Sequence, residues 1–123
     1  MAAPNIVNVS SIFGKTVGAN LTTSSASIVT CTTNKVLKIN SIIVSNVDGN
    51  NAVDVTVFFF DISNQTQSTY ALASTISVPA DSTLVVLSKD TSIYLEEGDS
   101  IQAFASATND AQIIISYEEL DDA

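Results

Sequence analysis

The sequence predicts an all-β protein, an antiparallel β-sandwich of jelly-roll type with eight or nine short strands and almost no helix. Three observations lead to this prediction. Apolar and polar residues alternate with period two in several stretches, which is typical of a strand with one buried face. Turn-forming residues separate these stretches at the short intervals of all-β domains, and no stretch has the 3.6-residue period and capping residues of a helix. A closed barrel is the alternative that these patterns leave open.

The alternation is clearest in the middle of the chain, where every second residue from Val53 to Phe59 is apolar. Residues 36–47 and 84–87 are apolar on both faces, as expected for strands that lie centrally in a sandwich or are covered by a partner. The nine strands are predicted near residues 12–22, 26–32, 36–47, 52–60, 69–78, 83–88, 92–95, 100–107 and 111–118.

Turn residues divide these strands. Asp48-Gly49 lies between two apolar runs and predicts a hairpin, because both residues tolerate a positive φ. Residues 79–82, 96–99 and 108–110 supply further turns. Gly14 and Gly18 interrupt the first strand and indicate a bulge or an irregular edge.

Composition excludes several classes of function. The chain has 123 residues and a net charge of −9, with no histidine. All four cations are lysines, and arginine and tryptophan are also absent. A histidine-based catalytic relay is therefore impossible, and four lysines cannot form the basic stripe that nucleic-acid binding needs. We expect neither an enzyme nor a nucleic-acid-binding protein.

The chain organisation that we expect is simple. Residues 1–11 form an extended N-terminal segment, residues 12–118 a single β-sandwich domain, and residues 119–123 an acidic tail that frays. The sequence has neither a basic and apolar leader nor a run of about twenty apolar residues. We therefore expect synthesis in a cytoplasm and no membrane partner.

Residues with reactive or metal-binding groups have structural explanations. Cys31 has no histidine to activate it and is predicted to be a small buried apolar residue. The turns at 48–51 and 96–99 contain oxygen ligands suited to calcium, but neither matches the twelve-residue calcium loop. Glu96 and Glu97 are adjacent, so on a strand they point to opposite faces and cannot act as a catalytic pair. No cofactor is expected.

Apolar side chains on the outer faces of strands are the strongest functional signal. If Val57 points inward, Phe58 and Phe60 point outward. Phe104 and Ile114 also alternate with residues that are expected to be buried. Several large apolar residues on outer faces suggest a contact surface, although strands covered on both faces within the monomer would give the same pattern.

The N-terminal segment is a second candidate interface. It contains Ile6, Val7 and Val9. We expect it to add a strand to a neighbouring subunit or to another protein of the same assembly.

Three stretches, MAAPNIVNVSSIFGKTVGANLT, INSIIVSNVDGNNAVDVTV and VPADSTLVVLSKDTSIYLEEGDSIQAFAS, resemble small structural proteins encoded by tailed phages of marine bacteria, cyanophages in particular. The resemblance implies a compact β-sandwich present in many copies on the virion, as a head decoration protein or at the neck or tail. It implies no catalytic residues.

The resemblance leads to a specific expectation. We expect a capsid decoration or cement protein that packs on the major capsid protein or other virion proteins. We also expect it to form a homo-oligomer, with a trimer as the expected form. The alternative is a neck, tail or fibre-associated module that binds a host-surface glycan or receptor. Its available rings are Tyr70, Tyr94 and Tyr117, and burial of Tyr70 and Tyr117, which strand parity predicts, would weaken that alternative. An enzyme that uses carboxylates or a metal is the third possibility.

Overall fold

The computed structural model describes residues 11–63 and 67–121, and these residues form nine strands and one short 3₁₀ helix. The strands are β1 (Ser11–Asn20), β2 (Ala26–Thr30), β3 (Lys35–Asn46), β4 (Val53–Asp61), β5 (Ser68–Val78), β6 (Thr83–Leu87), β7 (Ile93–Leu95), β8 (Ser100–Ala105) and β9 (Ala111–Asp121). The 3₁₀ helix covers Lys89–Thr91. The predicted all-β sandwich with almost no helix is confirmed.

The strands form two antiparallel sheets. The five-stranded sheet has the order β1-β9-β3-β6, with β7 also paired to β3, and the four-stranded sheet has the order β2-β8-β4-β5. Successive strands therefore pass from one sheet to the other at most connections. Apart from the short β7, the remaining eight strands form two four-stranded sheets in the strand order of a jelly roll.

The connection at Asp48-Gly49 is not a hairpin, contrary to the prediction. It joins β3 in one sheet to β4 in the other. Asn46 holds this crossing in place, because its Nδ2 donates to Asn51 O and to Val78 O, both at 2.9 Å, and its Oδ1 accepts from Asp48 N at 2.9 Å. Turn residues thus mark where a strand ends but not whether the next strand is its neighbour.

The core lies between the two sheets and consists of branched aliphatic and small residues. Its largest fully buried members are Leu21, Leu37, Ile39, Ile42, Leu95, Ile101, Ile113, Ile115, Val44, Val53, Val55 and Val57. Burial of each such side chain contributes about 1.5–3 kcal/mol. Cys31 is also buried in this core, as predicted.

Strand β5 departs from the predicted alternation. Its register with β4 shifts twice, and Thr75 has a φ of 51°. Each inserted residue reverses the faces of the residues beyond it. Ala73 and Val78 are therefore both buried, whereas Tyr70 is 55% exposed and Ile76 is 40% exposed. The two insertions cancel at Tyr70, which pairs with Phe59, and Ile76 pairs with Val55, so both lie on the core side of the sheet. They are exposed because β5 is an edge strand, and the predicted burial of Tyr70 is therefore wrong.

The predicted acidic tail is largely part of the sheet. Strand β9 continues to Asp121, so the boundary at residue 118 is wrong. Lys35 Nζ lies 2.7 Å from Asp121 Oδ2 and 3.4 Å from Glu119 Oε2, and Lys15 Nζ lies 3.2 Å from Glu119 Oε2. Leu120 is only 6% exposed. Lys15 and Lys35, from the two strands that flank β9, thus compensate Glu119 and Asp121.

Strand β1 forms a regular edge of the five-stranded sheet, so the bulge or irregular edge predicted from Gly14 and Gly18 is wrong. All ten of its residues pair with β9 in unbroken register. The predicted N-terminal segment, with Ile6, Val7 and Val9, lies outside the described residues except for Ser11, which begins β1.

Candidate functional site

The outer side of the four-stranded sheet carries a cluster of aromatic residues that we call the phenylalanine face, formed by Phe58, Phe60 and Phe104. The register pairs Phe104 with Thr56 and Phe58 with Gln102, so all three rings lie on the side opposite the core. Each ring is half-buried by its neighbours on the sheet. The face is apolar at its centre and has amides and hydroxyls at its border, the pattern of an interface with a polar rim.

The outer side of the five-stranded sheet carries a second apolar surface, which we call the aliphatic row. Ile114, Ile43 and Val85 occupy equivalent register positions on β9, β3 and β6. Ile114 is 41% exposed and Val85 is 59% exposed, while Ile43 is half-buried. On this outer face the next positions along the strands hold polar residues, so the row is a narrow apolar stripe on a polar surface; these residues are Ser41, Ser45, Thr83, Gln112 and Ser116.

A depression lies at the β1 end of this row. It is lined by Gly18, Ala19, Asn20, Gln112, Ile113 and Ile114 and has a volume of about 330 Å³. The lining holds no titratable side chain. The depression can therefore accept an apolar or amide group but supplies no acid, base or nucleophile.

The acidic turns are occupied by internal hydrogen bonds. Asp48 accepts from Asn50 N at 2.9 Å and from Asn51 Nδ2 at 3.4 Å. The hydrogen bond from Asn50 lowers the pKa of Asp48 below its usual value. Among residues 11–63 and 67–121, no group of three histidine, cysteine, aspartate or glutamate side chains is placed to hold a metal ion.

Asp99 is a buried carboxylate that the sequence analysis had considered only as a calcium ligand. It is 2% exposed. Its Oδ1 accepts from Ile62 N at 3.0 Å and Ser63 N at 2.9 Å, and its Oδ2 accepts from Glu96 N at 3.1 Å. It joins the end of β4 to the turn before β8. Its role is to fix two connections, which a position in a turn could not reveal.

Cys31 is enclosed and unreactive. Its side chain is completely buried, and its Sγ lies 3.1 Å from Lys35 O. Burial raises the pKa of the thiol to about 11. A thiolate nucleophile at neutral pH is therefore absent from this position.

The three tyrosines do not form a common platform. Tyr70 stacks on Phe59 with ring centroids 6.3 Å apart and remains 55% exposed, at the edge of the four-stranded sheet. Tyr94 is 48% exposed on β7 of the other sheet, and Tyr117 packs against the core. The structure thus separates the two exposed rings.

Five exposed apolar residues were missed by the sequence analysis: Ile76, described above, and four others. Ile12 and Val85 are each 59% exposed, Phe13 is 48% exposed and Val47 is 49% exposed. Val85 was missed because residues 84–87 are apolar on both faces, which predicts a strand that is central in the sandwich or covered by a partner, whereas β6 lies at an edge. The adjacent Ile12 and Phe13 were the available signal for β1, since adjacent strand residues cannot both face the core.

No known family model matches the chain, and no curated protein is similar to it in sequence. Among solved structures, it is similar to a protein of the Bacillus endospore appendages, described as a novel family of disulfide-linked pili. The TM-score is 0.55 at 13% identity, covering 92% of this chain and 88% of that chain. It is also similar to a chain of the T13 particle of infectious bursal disease virus, with a TM-score of 0.50 and 7% identity, covering 93% of this chain and 32% of that chain.

A third structure, a pentameric capsid protein from metagenomic phage sequences, has a TM-score of 0.39 at 14% identity and covers 98% of this chain and 64% of that chain, a likeness too low to support an inference. The chain spans about a third of the bursal disease virus chain. At these identities the first two likenesses show the jelly-roll fold alone. No helix in the described residues is long and apolar enough to cross a membrane.

Proposed function

We propose that this protein is a non-enzymatic structural subunit of a phage virion, a decoration or cement protein that packs on the assembled capsid shell and stabilises it through protein–protein contacts. The observation that carries the proposal is the pair of apolar outer surfaces. A β-sandwich that functions as a monomer has to bury only the inner side of each sheet. Here both sheets also present apolar side chains on their outer sides.

The phenylalanine face is the contact that we assign to the shell. Phe58, Phe60 and Phe104 are rigid rings already held in place by their neighbours, so covering them costs little conformational entropy. The surrounding threonine and glutamine side chains can hydrogen-bond to the partner without the desolvation cost of charged groups. The low charge content of the chain, 14% of its residues, fits such a packed surface.

Assembly of this chain would be non-covalent. Cys31 is the single cysteine in the sequence and is completely buried. A disulfide between copies would require the core to open. Within the described residues, the apolar surfaces and the backbone edges of the sheets provide the means of attachment.

Co-sedimentation with shells of the encoding phage, stripped of this protein, tests the proposal. Wild-type protein should bind in saturable fashion at a fixed copy number per shell. Phe58→Ser should weaken binding at least tenfold, and Thr83→Ser, on the other sheet and exposed, should not. Absence of saturable binding, or equal binding by Phe58→Ser and wild type, would contradict the proposal.

A second candidate is a neck, tail or fibre module that binds a glycan or receptor on the host surface. The observation in its favour is that Tyr70 is exposed and stacked on Phe59, the form of a sugar-binding ring. Binding of the purified protein to host cells, lost in Tyr70→Ala and retained in Tyr94→Ala, would favour this candidate over a shell contact.

A further inference from the structure

Strand β1 differs from the other strands at the edges of the two sheets. Strands β2 and β6 have five residues each and contain a register shift, and β7 has three residues. Strand β5 is long, but its register shifts twice and Thr75 has a positive φ. Short or irregular edges prevent pairing with another chain. Among the described strands, β1 alone is a long edge with unbroken register.

The backbone groups that β1 leaves open can be identified from the register. Leu21 N donates to Ala111 O at 2.8 Å, just beyond the last pair of the β1–β9 ladder. Hydrogen-bonded pairs alternate along antiparallel strands. The odd-numbered residues of β1 therefore bond to β9, and the N–H and C=O groups of Ile12, Gly14, Thr16, Gly18 and Asn20 point away from it.

The side chains of β1 also suit contact with another copy of the chain. The protein carries 13 acidic residues, and none of them lies on β1. Its one charged residue, Lys15, belongs to the set that bonds to β9 and is 3.2 Å from Glu119. Two copies with a charge of −9 each would therefore meet at an edge strand that carries no acidic residue of its own. Ile12 and Phe13, 59% and 48% exposed, would be covered by the contact.

We infer that β1 pairs with β1 of a second copy in antiparallel register, centred on Thr16, so that the five-stranded sheets of two copies form one continuous sheet. Residues with open backbone groups then face one another: Thr16 opposite Thr16, Gly14 opposite Gly18, and Ile12 opposite Asn20. This register is the one that pairs the whole even-numbered set with itself. A two-fold contact of this kind is self-complementary.

The two glycines explain why a second copy fits this edge. A Cβ at Gly14 would meet no atom within 4 Å, and Gly18 lies beside the depression at Ile114. With Gly14 opposite Gly18 at both ends of the pairing, the outer side of the joined sheet stays open. On that side, Gly18 follows Ile114 at the end of the aliphatic row, and Gly14 of the second copy, whose register partner is Glu118, lies next to it. The predicted free species is a two-fold dimer, in place of the trimer expected from capsid symmetry.

Sedimentation velocity on the purified protein tests the inference. As the protein concentration is raised to roughly 1 mM, wild type should become dimeric. Thr16→Pro removes an N–H that faces away from β9, which an edge strand tolerates, and should give a monomer with a melting temperature close to that of wild type. The matched control, Val17→Pro, removes an N–H that bonds to β9 and should lower the melting temperature. A monomeric wild type, or a Thr16→Pro dimer, would overturn the inference.

Cross-linking tests the register even if the proline variant fails to fold. Opposed residues of a hydrogen-bonded pair have Cα atoms about 5.5 Å apart, within disulfide range. Under a mild oxidant, Thr16→Cys should form a covalent dimer, while Thr83→Cys on the β6 edge should remain monomeric. Equal cross-linking of both variants, or none for Thr16→Cys, would refute the register.

The inference deepens the proposed function, since it supplies the contact between copies of a structural subunit, but the two fail separately. A dimer that does not bind shells would leave the β1 pairing intact and remove the decoration role. A monomer that binds shells would do the reverse. A dimer dissociated by Phe58→Ser but not by Thr16→Pro would move the contact from the β1 edge to the phenylalanine face.

Discussion

Gly18 of β1 is the register partner of Ile114 of β9, and because glycine has no side chain, β1 leaves this isoleucine uncovered. A Cβ at Gly18 would lie 3.7 Å from Ile113 O and 4.0 Å from Ile114 Cγ1, which is ordinary contact. Gly18→Ala should therefore raise the free energy of unfolding by about 0.5–1 kcal/mol, since it lowers the entropy of the unfolded chain without strain. Denaturant titration measures the change.

Gly98→Ala is the matched control. Gly98 has a φ of 90°, and its added Cβ would lie 2.8 Å from Ile62 Cγ2. This substitution should lower the free energy of unfolding by at least about 1 kcal/mol. If both alanine variants shift stability in the same direction, the backbone account of these glycines is wrong.

Ile113 and Ile114 are adjacent residues with opposite roles. Ile113 is completely buried and Ile114 is 41% exposed. Ile113→Ala should cost about 2–5 kcal/mol of stability, whereas Ile114→Ala should cost no more than about 1 kcal/mol. Thermal melts of the two variants measure the difference. Equal costs would show that Ile114 is a core residue and is not available for contact.

Asp99 is predicted to be the carboxylate on which folding depends most. Asp99→Ala leaves three backbone N–H groups without their acceptor, at a cost of at least about 3 kcal/mol. Asp90→Ala, which removes an exposed carboxylate, should change stability by less than about 0.5 kcal/mol. Urea unfolding of both variants provides the comparison, and a mild effect at Asp99 would contradict its structural role.

The end of β9 can be tested by truncation. Removing residues 119–123 deletes Leu120, which is 6% exposed, together with both partners of Lys35, and should cost about 2 kcal/mol or more. Removing only residues 122–123 leaves these contacts in place and should change the melting temperature little. Equal melting temperatures for the two truncations would instead support the prediction that residues 119–123 form a frayed acidic tail.

Ionisation of the buried Cys31 thiol should lower the free energy of unfolding at alkaline pH. Burial raises the pKa of the thiol from an ordinary value of 9.0 to about 11 in the folded state, so the folded protein holds the proton more tightly than the unfolded chain does. The protonated thiol therefore contributes to the free energy of unfolding in full below pH 9, and this contribution is lost between pH 9 and 11. Denaturant titrations across that interval should show a decline that is smaller in Cys31→Ala. An identical decline in both proteins would assign it to other groups.

Sequence patterns were most informative where one face of a strand is buried. The alternation at 53–59 located β4, and it correctly placed Phe58 and Phe60 opposite the core. The patterns failed where the backbone departs from period two, since the bulges of β5, which put both Ala73 and Val78 on the core side, have no marker in the sequence.

Long-range relations were equally hidden. Strand order is a global property, so Asp48-Gly49 could not distinguish a crossing between sheets from a hairpin. The pairing of Lys35 with Asp121 joins residues 86 positions apart, which no local pattern records. The aliphatic row exists only because β9, β3 and β6 come together in register.

The proposal that this chain is a virion subunit is tested most directly by a density map of the intact phage particle to which it is assigned. We predict a jelly-roll density at regular positions on the shell, with the phenylalanine face against the major capsid protein. A particle without this density, or one in which both outer faces of the sandwich are open to solvent, would contradict the proposal.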